Sequence, residues 1–150
     1  MTTPVAPRYL GRTVGHPITA DALDTVAVPD EVQHVAYRTS ELAALCPVTQ
    51  QPDVYDATIT YTPRGRSLES KAFKHYLWSF RDQGIYCETL AATIARDLSA
   101  VLNAAVTVDL RQQVRGGLTL SATATATAMA TATATASASA SATATTDREA

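Results

Sequence analysis

Apolar and polar residues alternate in several stretches of the chain, and this alternation predicts four β-strands. The clearest stretch is Tyr55 to Thr62, where Ala57, Ile59 and Tyr61 alternate with threonines. That pattern predicts a half-buried strand with one threonine-rich face. The other strands are predicted over Gln33 to Leu45, over Ala105 to Val114, and from Leu118 onward.

Two segments between the second and third predicted strands have helical spacing instead. The first runs from Leu68 to Arg81, with Ser67 as its N-cap and Gly84 as the residue that ends it. The second runs from Cys87 to Asn103. The order β-β-α-α-β-β predicts an α+β fold, a four-stranded antiparallel sheet with two antiparallel helices on one face.

The two ends of the chain have a different composition from the middle. Residues 1–30 hold four of the seven prolines and are predicted to form an irregular arm. From Ser121 onward alanine, threonine and serine alternate almost without interruption, so the last strand takes only the first few of these residues. Residues 126–150 have too little to bury to offset their ordering entropy and are predicted to be a disordered tail. The predicted domain is therefore 31–125.

The length, net charge and cysteine count of the chain argue against several classes of function. The length of 150 residues favours one domain, and a net charge of −2 argues against a nucleic-acid backbone as the partner. Two cysteines are too few for a disulfide framework. The start has no apolar signal segment and no apolar run could span a bilayer, so a cytoplasmic location is expected. Because the folded part is small, oligomerisation is expected to supply part of the stability.

A cysteine and a carboxylate are the first candidates for chemistry. Cys46 and Asp53 are seven residues apart in a proline-containing segment between the first two predicted strands. A thiol with a lowered pKa is a nucleophile, and a nearby carboxyl can hand over a proton. The alternative is a small buried hydrophobe and a turn aspartate.

The start of the first predicted helix carries a second candidate group. Lys71 and Lys74 are one helical turn apart on a face separate from the apolar one, which makes a positive patch the size of a phosphate. The alternative is a solvated helix face.

Taken together, these segments resemble the signature of the NADPH-dependent 7-cyano-7-deazaguanine reductases, the QueF family, in its short single-module form. The resemblance covers roughly residues 31 to 120 and implies the tunnelling fold (T-fold), assembled into rings with sites between subunits. The matching pieces are Leu45-Cys46-Pro47, Gln51-Pro52-Asp53, Glu69-Ser70-Lys71 with Lys74, Tyr76 to Arg81, Gly84 to Glu88, and Arg115-Gly116-Gly117.

The resemblance also implies a reaction, the reduction of 7-cyano-7-deazaguanine to 7-aminomethyl-7-deazaguanine with two NADPH in queuosine biosynthesis. It implies a homo-oligomer that binds a small deazapurine nitrile, without a metal and without direct contact to nucleic acid. The roles it implies are a thioimide nucleophile at Cys46, a proton donor at Asp53, NADPH contacts at Lys71 and Lys74, and substrate contacts at Leu68, Glu69, Ser70, Cys87 and Glu88.

Two departures from the family pattern keep alternatives open. Cys87 stands where family members usually carry a histidine before the substrate glutamate, and His75 stands where they usually carry leucine or tyrosine. One alternative is a QueF-like amidinotransferase, which adds ammonia to the thioimide on transfer RNA and lacks the lysine motif. The other is a T-fold protein that binds a deazapurine without catalysis.

Overall fold

The computed structural model describes residues 19–128. The predicted order of long elements is confirmed, with two short strands in addition. The strands are β1 (Thr25–Ala27), β2 (Val35–Leu45), β3 (Pro52–Tyr61), β4 (Arg66–Leu68), β5 (Val106–Gln112) and β6 (Ser121–Ala126), and the helices are α1 (Ser70–Trp78) and α2 (Cys87–Leu102).

The main sheet is antiparallel, with strands in the spatial order β2-β3-β5-β6. Its inner face carries the apolar residues that the alternation predicted. Ile59 pairs with Val108 across β3 and β5, and both are fully buried. Burying each such side chain is worth roughly 1.5–3 kcal/mol, so this row holds the sheet to the helices. On β6 only alanines face the core, while the threonines face outward.

Both helices cover the inner face, and their buried residues join those of the sheet in one core. Helix α1 lies over β2, whereas α2 lies over β5 and β6. The Tyr76 hydroxyl of α1 donates to Asp97 Oδ2 of α2 at 2.7 Å, which links the two helices. No helix within residues 19–128 combines the length and the apolar character needed to cross a membrane.

A small second sheet was not predicted. Strand β1 pairs with β4, so residues 25–27 belong to the folded domain and not to an irregular arm. Leu23, just before β1, is buried in the core. Ser67 is correspondingly a strand residue whose Oγ lies 2.7 Å from the Tyr61 hydroxyl, and it is not the helix cap. Three-residue strands are too short to show a period, which explains the error.

The N-cap of α1 is Glu69 instead. Its buried side chain accepts hydrogen bonds from the backbone N–H groups of Lys71 at 2.9 Å and Ala72 at 2.8 Å. These bonds satisfy two of the N–H groups that a helix start leaves unpaired. A carboxylate is also favoured there by the helix dipole.

The prediction that Gly84 ends α1 is wrong, because the helix ends at Trp78. A 3-10 turn, Ser79–Asp82, extends the helix, and Gly84 then bridges to Leu45 at the end of β2. A Cβ at this position would lie 3.4 Å from Pro47 Cα. Glycine therefore lets this segment pack closely against the turn that follows Cys46.

The last strand begins at Ser121, three residues later than predicted, because residues 115–118 form a turn. Strand β6 does take the first alanines and threonines of the repeat, as expected, and ends at Ala126. The rest of the predicted tail, 129–150, lies outside the described residues, as do residues 1–18.

Candidate active site

The hairpin between β2 and β3 brings Cys46 and Asp53 together. Leu45 pairs with Pro52 and Ala44 pairs with Asp53. Asp53 is therefore a strand residue, whereas the sequence predicted that it would lie in the segment between two strands. Pro52 is the first residue of β3, a position that strands tolerate. Inside the turn, Cys46 N–H donates to the Gln51 carbonyl at 2.8 Å. Both side chains are largely buried, at 8% exposure for Cys46 and 7% for Asp53.

Arg115 joins the two candidate groups. Its Nε lies 2.9 Å from Asp53 Oδ1, and its Nη1 donates at 3.0 Å to both Thr49 Oγ1 and Gln51 Oε1. Gln112 donates from Nε2 to the same Asp53 oxygen at 2.8 Å. The contacts of the carboxylate with Arg115 and Gln112 are thus both made through Oδ1.

Hydrogen-bond donors around the Cys46 sulfur favour its ionised form. The Thr49 hydroxyl and backbone N–H, then Arg115, lower the Cys46 pKa from 9.0 to about 6. A thiol with that pKa is mostly thiolate at neutral pH, and the thiolate is the nucleophile. The turn therefore supplies a reactive cysteine beside a carboxyl.

Removing the Arg115 charge should raise the Cys46 pKa. In Arg115→Met the stem is kept but the guanidinium is lost, so the midpoint of iodoacetamide alkylation against pH should rise by about 1 unit or more. Stopped-time alkylation followed by mass spectrometry from pH 5 to 9 measures it. Arg111→Met, an exposed arginine on β5, is the matched control. A midpoint that stays near 6 in Arg115→Met would show that Thr49 and the turn backbone suffice.

The second cysteine has the opposite electrostatic environment. Cys87 opens α2 and is buried, and burial followed by the charges of Glu88 and Asp53 raises its pKa to about 11. Its thiol therefore stays protonated near neutral pH. Glu88 is exposed in the first turn of α2, where the helix dipole favours a carboxylate. Asp53 and Glu88 thus both lie near enough to Cys87 for their charges to act on its thiol.

The Leu68–Ser70 segment lies far from Cys46 in the fold. The Leu68 carbonyl accepts from the Tyr37 hydroxyl, near the start of β2, whereas Cys46 follows its end. At about 3.3 Å per residue, the eight residues from Tyr37 to Leu45 span about 26 Å. Leu68 is buried in the core and Glu69 is occupied as the helix cap, so one chain does not bring either to Cys46.

Lys74 and Ser70 line a groove between α1 and β2. The groove has a volume of about 380 Å³. Lys71, one turn before Lys74, is half-exposed beside it. The other residues that line the groove are mainly aromatic or charged, including Tyr37, Arg38, Glu41, Phe73, His75 and Trp78. No group of three or more metal-ligating side chains occurs within 19–128.

Comparison with known proteins places the chain in a family. A family model described as QueF-like protein matches residues 52–131. A relative from Frankia casuarinae named NADPH-dependent 7-cyano-7-deazaguanine reductase is 40% identical over 103 residues, covering 68% of this chain and 82% of the relative. The chain belongs to the QueF-like protein family. A Syntrophobacter fumaroxidans protein of the same name is 39% identical over 116 residues, 74% of this chain and 75% of that one.

A solved structure gives the same assignment for the fold. The apo crystal structure of the archaeosine synthase QueF-Like matches with a TM-score of 0.58 and 26% identity, over 62% of this chain and 92% of that one. The expected T-fold is therefore confirmed for this QueF-like chain.

Three residues of the QueF-like site had no predicted role. Arg115 was noted as part of a matching motif, but its contacts with Asp53 and Thr49 join residues more than sixty positions apart. Nothing in the sequence indicated a functional role for Gln112 or Tyr55. The alternation along their strands indicates only that both side chains lie on the inner face of the sheet. The pairing of β3 with β5 places Gln112 beside Asp53, whereas Tyr55 follows Asp53 by two residues on β3 itself.

Proposed function

We propose that this chain is a nitrile reductase that converts 7-cyano-7-deazaguanine to 7-aminomethyl-7-deazaguanine with two NADPH, a step in queuosine biosynthesis. The observation that carries the proposal is that Arg115 joins the Cys46 turn to the Asp53 carboxyl, with donors from Thr49 and Arg115 that lower the Cys46 pKa to about 6. The names of the relatives from Frankia and Syntrophobacter support it.

Cys46 makes a poor electrophile reactive. A nitrile accepts hydride weakly, and addition of the thiolate converts it to a thioimide. The sulfur–carbon bond forms and one π bond of the nitrile opens. The Asp53 carboxylate takes up a proton from solvent when the nitrile binds and passes it to the nitrogen. When the carbon has been reduced once, the sulfur–carbon bond breaks and Cys46 leaves as a thiolate. The Thr49 and Arg115 donors that lower its pKa favour this departure as well.

Glu88 is the proposed anchor for the purine-like ring. It is exposed and directly follows Cys87, whose thiol is affected by the charges of both Glu88 and Asp53. A carboxylate accepts two parallel N–H bonds from a guanine-like edge, which fixes the ring in one orientation. Cys87 would then lie against the bound ring.

The complete site is proposed to lie between two copies of the chain. The Leu68–Ser70 segment is far from Cys46 within one chain, so a neighbouring copy would supply it. Exposed apolar residues beside the Cys46 turn support an interface there: Val48 is 74% exposed, Val114 68% and Leu118 77%. Large apolar side chains left in solvent often mark such contacts.

The residues of α1 fit the anionic part of a dinucleotide. Lys71 and Lys74, with Arg38 in the wall of the groove, supply cationic donors where phosphates would bind. When bound there, NADPH would supply hydride to the thioimide carbon. Lys71 and Lys74 would hold the phosphates, and Ser70 would contribute a hydroxyl donor.

Replacing either lysine should weaken NADPH binding selectively. We expect Lys71→Ala and Lys74→Ala each to raise the Michaelis constant for NADPH about 10- to 100-fold, the worth of one charge-assisted contact. Formation of the Cys46 adduct, which needs no nicotinamide, should be unchanged. Arg96→Ala, on the exposed side of α2, is the control. An unchanged Michaelis constant in both variants would leave the lysines as a solvated helix face.

The stoichiometry of NADPH use tests the proposal as a whole. Absorbance of the nicotinamide should fall by two NADPH per nitrile consumed, because nitrile to amine is a four-electron reduction. No consumption by a folded protein that binds the deazapurine would leave the non-catalytic alternative.

A transfer-RNA amidinotransferase is the second candidate, favoured by the likeness to the archaeosine synthase structure. It would share the Cys46 adduct and then add ammonia to it. It gives no reason for Lys71 and Lys74, and the net charge of −2 gives little attraction for RNA. Incubating the adduct with ammonium and modified transfer RNA, without NADPH, distinguishes the two activities.

A further inference from the structure

The Tyr55 hydroxyl is buried without a hydrogen-bond partner. The side chain has 0% exposure, and within residues 19–128 only one other buried side-chain polar atom, His75 Nδ1, shares this condition. Leaving a buried hydroxyl unsatisfied destabilises a fold, so such groups are uncommon and call for an explanation. A phenylalanine would fill the same space without this cost.

The hydroxyl belongs to the same buried cluster as the proposed reacting groups. Tyr55 follows Asp53 by two residues on β3, so both side chains lie on the same face of the sheet. Directly across on β5 it pairs with Gln112, whose amide already donates to Asp53. Among the charged groups that act on the Tyr55 hydroxyl, Asp53 is the strongest, and Arg115 and Cys46 also act on it.

We infer that Tyr55 is a positioning residue that donates a hydrogen bond to the Asp53 carboxylate when Asp53 has given its proton to the substrate nitrogen. This inference rests on the proposed function. In that step the Cys46 sulfur bonds to the nitrile carbon, the proton that Asp53 took up moves to the nitrogen, and Asp53 returns to the carboxylate that pairs with Arg115. The hydroxyl keeps its own proton throughout, so no further reactant is needed.

The chemistry of the neighbours favours this role. Burial and the Asp53 charge raise the Tyr55 pKa, so the phenol remains a neutral donor. Cys87 cannot replace it, since a thiol is only a weak donor. The Cys87 thiol is among the groups that act on the Tyr55 hydroxyl, so a stronger donor placed at position 87 would lie near it.

The test is the variant Tyr55→Phe, for which both the rate of adduct formation and the melting temperature are measured. If the role of Tyr55 were only structural, the adduct rate would not fall while the melting temperature was maintained. The rate of adduct formation at Cys46 without NADPH should fall about 10- to 100-fold, the worth of one hydrogen bond to a charged group. The melting temperature should stay the same or rise, because no bond is lost in the free protein. The matched control is Tyr76→Phe, which loses its bond to Asp97 and should melt lower while keeping the adduct rate.

An exchange of side chains gives an independent arm. Tyr55→Ala alone should be slow to form the adduct, whereas Tyr55→Ala with Cys87→His should recover to within about tenfold of wild type. This arm decides the matter if Tyr55→Phe does not fold. An unchanged adduct rate in folded Tyr55→Phe, or no recovery in a folded exchange variant, overturns the inference. Wild-type protein that forms no adduct at all would instead remove the proposed function.

Discussion

Cys46→Ala is expected to abolish both the covalent adduct and the reduction. The side chain supplies the only nucleophile in the proposed mechanism, so turnover should fall by at least about 10⁴-fold. Alanine leaves the backbone of the turn unchanged, including the Cys46 N–H bond to Gln51. The fold should therefore persist, and circular dichroism should match the wild type.

Intact-protein mass spectrometry measures this effect directly. Wild-type protein mixed with the nitrile and no NADPH should gain one substrate mass, and peptide mapping should place it on Cys46. Cys87, whose pKa is raised to about 11, should stay unmodified and serves as the internal control. An adduct that persists in Cys46→Ala would contradict the assignment of the nucleophile.

Asp53→Asn should slow the reduction by about 10²–10⁴-fold, the usual worth of general acid catalysis. The amide keeps the shape of the carboxyl and can still meet Gln112, but it has no proton to deliver to the nitrile nitrogen. Substrate binding, which is assigned to Glu88, should change little. Steady-state kinetics should therefore show a large loss in kcat with a Michaelis constant for the nitrile close to that of wild type.

The Asp53→Asn variant needs a control for the loss of the carboxylate charge. Asp53→Asn also removes an ion pair with Arg115, so the melting temperature and the pH midpoint of Cys46 alkylation should be measured on the same preparation. If turnover is unchanged in a folded variant, the proton donor is another group. A loss of turnover that only follows loss of folded protein would likewise speak against general acid catalysis by Asp53.

The long elements could be predicted because each carries its own periodic signal. Alternation in 55–62 and helical spacing in 87–103 reflect burial of one face, a property visible in a few consecutive residues. Strands β1 and β4 are three residues each, and what forms them is pairing with a distant segment. Glu69 was missed as a cap because serine at 67 is the more usual cap residue.

The candidate site was predictable in part for the same reason. Cys46 and Asp53 are close in sequence, and the hairpin keeps them close in space. Arg115 is brought to them only by the pairing of β3 with β5 and the turn before β6, which no local pattern reveals. The Tyr55 hydroxyl is identified by what it lacks, a hydrogen-bond partner, and this requires coordinates.

The fate of the transferred hydride decides whether this chain reduces the nitrile. The protein should be incubated with 7-cyano-7-deazaguanine and NADPH that carries deuterium at both C4 positions, and the product analysed by mass spectrometry. The product should be the aminomethyl compound with two deuterium atoms on its methylene carbon and none elsewhere. Recovery of unreduced nitrile from folded protein, or an amidine formed when ammonium is present, would contradict it.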